Sequence, residues 1–452
     1  MDREQLEARV RELEQLIGTL QARIGVLEDE NRQLRQQLQE AQRQAARQAA
    51  PFRRDERRKV PESERKSPGR KPGHPGVHRA VPDHIDQHVE VRLPACPRCG
   101  GPLEDCHPLE QYIEELPPIR PQVTRLITWR AVCAHCGAVS SRHPLQTSQA
   151  SGAAKVQLGP RALALGAFLN KRLGLSMRNT CVVLREFGLK YSAGGLSQAL
   201  VRTAERVSEW FGDLHVHLRQ SPAVFSDETS WWVGAPGWWL WTVTTPGTTL
   251  YRVAHSRGSQ VIQDVLGPDY AGVLVSDCLS TYDPLECRKH KCMAHHLRAI
   301  AEARKRPETR DPSYLDHWKW AFKAAIALWK VQPDLSPTAF EAERARIQLL
   351  VNRLLDKSVL QPGDVAIQNR LLKQRAHLLT CLYDRAAEPT NNRAERALRP
   401  AVIARKISCG NRTDRGRRCW EILTSLSQTC HQRGLNFLEE FAGRLGLAPD
   451  TS

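Results

Sequence analysis

The sequence predicts an α/β multidomain protein on three observations: a leucine heptad at the N-terminus, two C-x-x-C pairs behind it, and a later run of short apolar strands, two of which end in aspartate. At about 150 residues per domain, 452 residues leave room for roughly three structural units. Hydrophobic residues at 41% and charged residues at 25% suit a folded chain and are too apolar for one disordered throughout. The 66 Lys and Arg outnumber the 49 Asp and Glu, a net charge of +17 whose natural counter-surface is a polyanion such as nucleic acid. No run approaches the ~18 apolar residues of a membrane span, and Met1-Asp2-Arg3-Glu4 opens without an apolar signal core, so a cytoplasmic protein is expected. Thirteen cysteines, an odd count with four in C-x-x-C pairs, favour metal binding and reduced thiols over a disulfide framework.

Residues 1–48 read as a parallel coiled coil. Leu6, Leu13, Leu20, Leu27 and Leu34 recur every seven residues, and Val10, Ile17, Ile24, Asn31 and Leu38 form a second series between them. Branched residues at a with Leu at d favour two parallel strands, and a single Asn at a, here Asn31, fixes register. In a parallel homodimer Arg9 faces Glu14, Arg23 faces Glu28 and Glu30 faces Arg35. A homodimer or higher oligomer through this zipper is expected. A lone exposed helix or an antiparallel pair is the plainer alternative.

Residues 49–88 form a basic Pro/Gly linker. Between 51 and 80 ten Lys or Arg stand against four acids, with prolines at 51, 61, 68, 72 and 75 that forbid a continuous helix. Arg70 and Lys71, inside Pro68-Gly69-Arg70-Lys71-Pro72-Gly73, suit an extended arm that tracks phosphates; a solvated linker is the alternative. Residues 89–145 read as a small zinc ribbon. Cys96-Pro97-Arg98-Cys99-Gly100 and Cys133-Ala134-His135-Cys136-Gly137 repeat one pattern. Two thiolates at that spacing in a tight turn reach one Zn2+, and four complete a tetrahedron. Val123, Leu126, Ile127, Trp129 and Val132 between the pairs suit a β-ribbon whose few apolar residues need the metal as a staple.

Residues 146–218 lack strand patterning and read as helices broken at glycines. Asn179 to Phe187, a turn at Gly188, and a helix from Ser192 to Arg206 have the proportions of a helix-turn-helix, with Ser192 as cap. Gln198, Arg202 and Arg206 then share one face and suit DNA contact; an ordinary helical hairpin has the same pattern.

From residue 219 to 450 the pattern becomes that of a mixed-sheet domain. Pro222 to Asp227, Trp238 to Val243 and Thr249 to Val253 read as three antiparallel strands. A helix near Gln260 to Leu266 precedes Gly272 to Asp277, a buried strand expected to add in parallel. Asp227 and Asp277 then leave neighbouring strand positions. Two divalent cations acting on a phosphodiester need several carboxylates, and Glu395, in a capped helix start crowded with arginines, is the third candidate. A helical insertion is expected at about 296–383. By pattern alone Glu395 is equally suited to pair with Arg399, and Asp283 and Glu302 are rival acids. The basic run Arg393, Arg396, Arg399, Arg405, Lys406 and Arg412, continuing to Arg415, Arg417 and Arg418, reads as a DNA-strand surface or a solvated face.

The strings Ser226-Asp227-Glu228-Thr229, Asp277-Cys278-Leu279-Ser280-Thr281-Tyr282, Cys292-Met293-Ala294-His295 and Asn391-Asn392-Arg393-Ala394-Glu395-Arg396-Ala397-Leu398-Arg399-Pro400 resemble the insertion-sequence-66-type transposases. That resemblance implies the order zipper, basic linker, zinc ribbon, helical DNA-binding region and DDE catalytic domain of ribonuclease-H-like fold. It implies Asp227, Asp277 and Glu395 as catalytic acids binding Mg2+ or Mn2+, with Zn2+ on Cys96, Cys99, Cys133 and Cys136. Met293 stands where the family usually has an aromatic residue, which leaves Cys292 and His295 without a firm role. His290, Cys292, His295 and His296 read as a packed helix start rather than a metal site. The expected activity is cleavage and joining of DNA strands at the ends of a mobile element, by in-line phosphoryl transfer in a nucleoid-associated protein, with accessory transposition proteins an open question. A zinc-dependent DNA-binding regulator with an inert catalytic domain, and a nuclease that never joins ends, are the rival readings.

Overall fold

In the computed structural model the described residues are 3–47, 79–141, 143, 146, 156–307 and 309–446. Arg70 and Lys71 of the basic arm lie outside them. The chain divides into two units, Met1–Glu115 and Leu116–Ser452. The division falls inside the segment expected to form one ribbon.

The first unit carries α1 (Arg3–Arg47), a single 45-residue helix. Its heptad side chains Leu13, Ile17, Leu20, Ile24, Leu27, Leu34 and Leu38 are 45–62% exposed, an apolar stripe with no core of its own to cover it. Further on, Cys96 begins a tight turn in which Gly100 N donates to Cys96 O at 2.8 Å and Cys96 N donates to Gly101 O at 3.0 Å. Gly100 closes it at φ +71°, where a side chain would strain the backbone.

The second unit opens on a hairpin, β1 (Arg130–Cys133) and β2 (Gly137–Ser140), in antiparallel register from Arg130↔Ser140 to Cys133↔Gly137. The ribbon expected from Val123 onward is reduced to this hairpin. Val123, Ile127, Trp129 and Val132 remain exposed, because two four-residue strands offer too little surface to bury them.

Helices follow: α2 (Pro160–Ala167), running into a π-helical turn at Phe168–Arg172, α3 (Met177–Glu186), α4 (Ala193–Arg206) and α5 (Ser208–Arg219). Proline at the first position of α2 costs no hydrogen bond, since that N–H has no partner in a helix anyway. Ser192 caps α4 as expected, its Oγ accepting from Gly195 N at 3.1 Å. The helix pair α3–α4 turns at Gly188, φ +80°, and α3 begins two residues before the expected Asn179, at Met177, because Ser176 supplies its cap.

The sheet comprises β3 (Ala223–Val233), β4 (Ala235–Thr244), β5 (Thr249–Ala254), then after α6 (Gln260–Leu266), β6 (Val273–Ser276) and β7 (Arg288–Lys291). Its order is β5-β4-β3-β6-β7: the first three strands form an antiparallel meander, and β6 and β7 add in parallel beside β3. Alternation along the strands divides the core. Val224, Trp241, Val243, Leu250 and Leu274 pack one face onto α2, α4, α5 and α6. Ala223, Phe225, Val273 and Val275 face the other way, onto α7 (Met293–Arg304), α8 (Ser313–Val331), α9 (Pro337–Asp356) and α10 (Pro362–Lys373), which with three 3-10 turns occupy the stretch of the expected insertion among the described residues. Farther along that second face, Trp231, Leu240, Tyr251 and Val253 meet Leu398 and Ala401 of α11 (Asn392–Ser408) and Trp420 of α12 (Asp414–Gln432). The last described helix is α13 (Phe437–Arg444).

α12 also seals the free edge of β5. Thr249 N, Tyr251 N and Val253 N donate to Thr429 Oγ1 (3.1 Å), Ser425 Oγ (2.9 Å) and Glu421 Oε1 (2.6 Å). Four residues along a helix advance about 6 Å and two along a strand about 6.7 Å, so side chains at 421, 425 and 429 meet every second N–H of the edge. Arg417 completes the imitation of a strand, donating to Val253 O at 3.1 Å and to Glu421 Oε1 at 2.7 Å. No helix of the described residues is long and apolar enough to cross a membrane.

Candidate active site

Asp227 is not at a strand end, as the apolar run before it suggested, but in the middle of the 11-residue β3. Its antiparallel partner β4 continues to Ala235, so β3 stays paired on that side, Asp227 opposite Thr242, and runs on through the tryptophans to Val233. What ends is the neighbour on the other side. β6 stops at Ser276, and its last pairing with β3 is Phe225↔Val275. Counting on by two from that pair reaches Asp227 and Asp277. Parallel strands lie about 4.8 Å apart, so the two aspartates leave one short stretch of the sheet.

Glu395 arrives from the far end of the sequence. Asn391, fully buried, donates from Nδ2 to Ser226 O at 2.7 Å, taking the carbonyl that β6 no longer reaches. Asn391 N donates to Cys292 Sγ at 3.1 Å, and Met293 N donates to Pro389 O at 3.0 Å. Residues 389–391 are thereby tied to β3 and to the chain leaving β7, and α11 runs beside β3. One turn in, Glu395 N bonds Asn391 O at 3.2 Å.

Electrostatics agree with this convergence. The Asp227 carboxyl is pushed up to about 7, first by burial, then by the negative charges of Glu228, Asp277 and Glu395, against a lowering hydrogen bond from Glu228 N. Asp227 Oδ1 accepts that bond at 2.9 Å, and Asp277 Oδ1 accepts from Leu279 N at 3.0 Å. One oxygen of each aspartate is thus engaged by its own backbone, and among the described residues no three His, Cys, Asp or Glu side chains stand close enough to cage a cation as they are. Nor, among those residues, does any Lys, Arg or His pair with Asp227, Asp277 or Glu395. Hard oxygen donors carrying negative charge that the chain leaves uncompensated fit Mg2+ or Mn2+ in kind. The rival acids are otherwise occupied: Asp283 pairs with the fully buried Lys291 at 3.2 Å, and Glu302 is exposed on α7.

The histidines and cysteine of the adjoining motif pack. His296 stacks on Phe322 at 5.3 Å, and burial holds His290 and His296 down at about 4 and about 3. The DNA-contact candidates divide. Arg206 donates to Gln146 O and Leu445 O, Arg393 pairs with Glu388, and Arg405 ties α11 to Thr229 and Ser230, while Arg202 is half-buried. Gln198, Arg396, Arg399, Lys406 and Arg412 are exposed. In the two C-x-x-C turns, Cys96 is held below the usual thiol range by backbone donors from Arg98 and Cys99, and Cys133 by those from Cys136 and His135. Asn391, Glu228 and Tyr282 escaped sequence reasoning. Glu228 stood beside Asp227 throughout, and a second acid next to a candidate ligand was the available signal.

The Asp227 shift has a consequence for stability. In the folded, metal-free chain it protonates near 7, against about 3.9 when unfolded. Between those values the folded state holds a proton that the unfolded state has lost, so stability falls as pH rises from about 4 to about 7. In chelator, the thermal midpoint of the wild type is expected to decline across that window relative to Asp227→Asn. Parallel profiles would remove the assigned shift.

Comparison with known proteins adds two findings. Residues 155–418 match the family described as "Transposase IS66 family". Among curated proteins, the uncharacterized protein y4qI of Sinorhizobium fredii is 25% identical over 275 residues, which are 52% of this chain and 51% of that protein. The chain therefore spans about half the length of that relative.

Proposed function

The chain belongs to the IS66 transposase family, and we propose that it is a DNA transposase that cleaves and joins strands at the ends of an insertion sequence. The observation that supports the proposal is that β6 ends beside β3 just past Phe225↔Val275, so that Asp227 and Asp277 leave adjoining stretches of the sheet, with the charges of Asp277 and Glu395 both bearing on the buried Asp227. In this proposal the three carboxylates hold a pair of Mg2+ or Mn2+ ions. Such ions, when bound, activate water or a 3'-hydroxyl and stabilise the leaving oxygen of a phosphodiester. The chain's own part is to present the three acids from a mid-sheet strand, the turn that follows the strand beside it, and a helix whose start Asn391 ties to β3. Strand order β5-β4-β3-β6-β7 supports a ribonuclease-H-like domain as the frame.

The remaining parts follow the same proposal. The exposed apolar stripe of α1 supports a second copy of the chain zipped in parallel, so that two DNA ends are brought to one assembly. One thiol held below its usual range in each of two matching turns, Cys96 and Cys133, supports Zn2+ binding by the pairs Cys96 with Cys99 and Cys133 with Cys136. Gln198 on α4 and Arg396, Arg399, Lys406 and Arg412 on and after α11 are the exposed DNA contacts, and the net charge of +17 makes binding fall steeply with salt.

The test is incubation of the full chain with DNA carrying the element ends and Mg2+ or Mn2+. Joined products are expected. Nicks that are never joined would make the protein a nuclease, and tight binding with neither product would make it a regulator.

A further inference from the structure

Glu228 follows Asp227 on β3, so its side chain lies on the opposite face of the sheet. The side chain is 2% exposed, and a buried carboxylate is costly unless its oxygens are bonded. Both are. Oε1 accepts from Arg257 Nη2 at 2.9 Å and Nε at 3.3 Å, and Oε2 accepts from the Tyr282 hydroxyl at 2.8 Å. Ser226 Oγ lies 3.3 Å from the same hydroxyl, and the fully buried Tyr282 ring meets Trp241 edge-on at 6.0 Å.

The connectivity gives these bonds their meaning. Ser226 and Glu228 flank Asp227, while Tyr282 ends the 3-10 turn Ser280–Tyr282 that begins three residues after Asp277. The backbone ladder between β3 and β6 has already stopped at Phe225↔Val275. Past that point, the hydroxyl of Tyr282 ties the strand bearing one aspartate to the turn that follows the other. We propose that Tyr282 and Glu228 form a rear clamp that sets the separation of Asp227 and Asp277, acting as positioning residues for the metal pair and not as ligands. The inference rests on the proposal that the two aspartates bind metal together. Arg257, stacked on Trp239 at 4.3 Å, balances the charge of Glu228 and keeps it turned away from the cations.

The experiment is Mn2+ titration of the full-length protein without DNA, followed by calorimetry, for wild type, Tyr282→Phe, Glu228→Gln and Asp277→Ala. Mn2+ seeks carboxylates and competes poorly for thiolates, so the cysteines do not obscure the result. Loss of a group that orients metal ligands typically weakens binding about 10–100-fold. Tyr282→Phe is expected at about the lower end, tenfold, with the thermal midpoint of the metal-free protein lowered because Oε2 of the buried Glu228 loses its donor. Glu228→Gln keeps an acceptor for the tyrosine and is expected to lose less; it also serves where Tyr282→Phe folds poorly. Wild-type affinity in both variants, with binding lost in Asp277→Ala, would overturn the clamp and leave the acid pair standing. Wild-type affinity in Asp277→Ala itself would overturn the metal assignment, and the clamp with it.

Discussion

Asp277→Ala is expected to reduce strand cleavage and joining by about a thousandfold or more while leaving the protein folded and bound to DNA. Divalent ions in such sites supply several kcal/mol of stabilisation to the reacting phosphate, and about 4 kcal/mol corresponds to a factor of about 10³. The fold tolerates the change because two effects oppose one another. The variant loses the hydrogen bond from Leu279 N to Asp277 Oδ1, a turn-capping contact worth about 1 kcal/mol. It also removes one of the negative charges that bear on Asp227. The thermal midpoint of the metal-free protein is therefore expected to stay near that of the wild type. Glu302→Ala, altering an exposed acid on α7, serves as the comparison and should react normally. Full activity in Asp277→Ala would end the assignment of the acids.

The second large effect is on stability. Glu421 is fully buried, yet it accepts from Val253 N and pairs with Arg417 at 2.7 Å and Arg418 at 3.4 Å. Glu421→Ala would take their shared acid from Arg417, which keeps Asp414, and from Arg418 and Arg252, and would leave the Val253 N–H at the sheet edge without that acceptor. Breaking a buried pair by removing one partner costs about 3–5 kcal/mol. Glu421→Gln preserves an acceptor for Val253 N and is expected to cost about 1–2 kcal/mol, since the charge-assisted bonds become neutral ones. Chemical denaturation followed by tryptophan fluorescence reads both. A shift of less than about 0.5 kcal/mol in Glu421→Ala, the range of an ordinary surface change, would mean that α12 does not hold this edge.

Legibility in the sequence followed the range of the interactions. Periodic and local signals were readable: the heptads of α1, the Ser192 cap, the helix Gln260–Leu266 and the apolar cores of the strands each depend on neighbours a few residues away. The three acids were readable as candidates because chemistry demanded carboxylates and a family resemblance pointed to which ones. The neighbouring exits of Asp227 and Asp277 were readable from the expected parallel addition of β6; the tie of Asn391 to Ser226, which sets where the helix bearing Glu395 begins, was not, since it spans 165 residues of chain. The length of β3 was also hidden. Its tryptophans continue the strand only because β4 pairs with them, which the run ending at Asp227 does not disclose. The clamp of Tyr282 on Glu228 spans 54 residues and leaves no periodic trace.

The sealing of β5 by α12 has a price in time. The donors on β5 and their acceptors on α12 are separated by 168 to 180 residues. At a synthesis rate of about 5–20 residues per second, the ribosome needs roughly ten to forty seconds to supply the missing segment. For that interval a nascent meander presents an unpaired border to anything nearby, including the meander of another growing chain. Expression at high level should therefore favour aggregates seeded through this border, and slowing initiation or adding a chaperone that shields it should raise the yield of native protein.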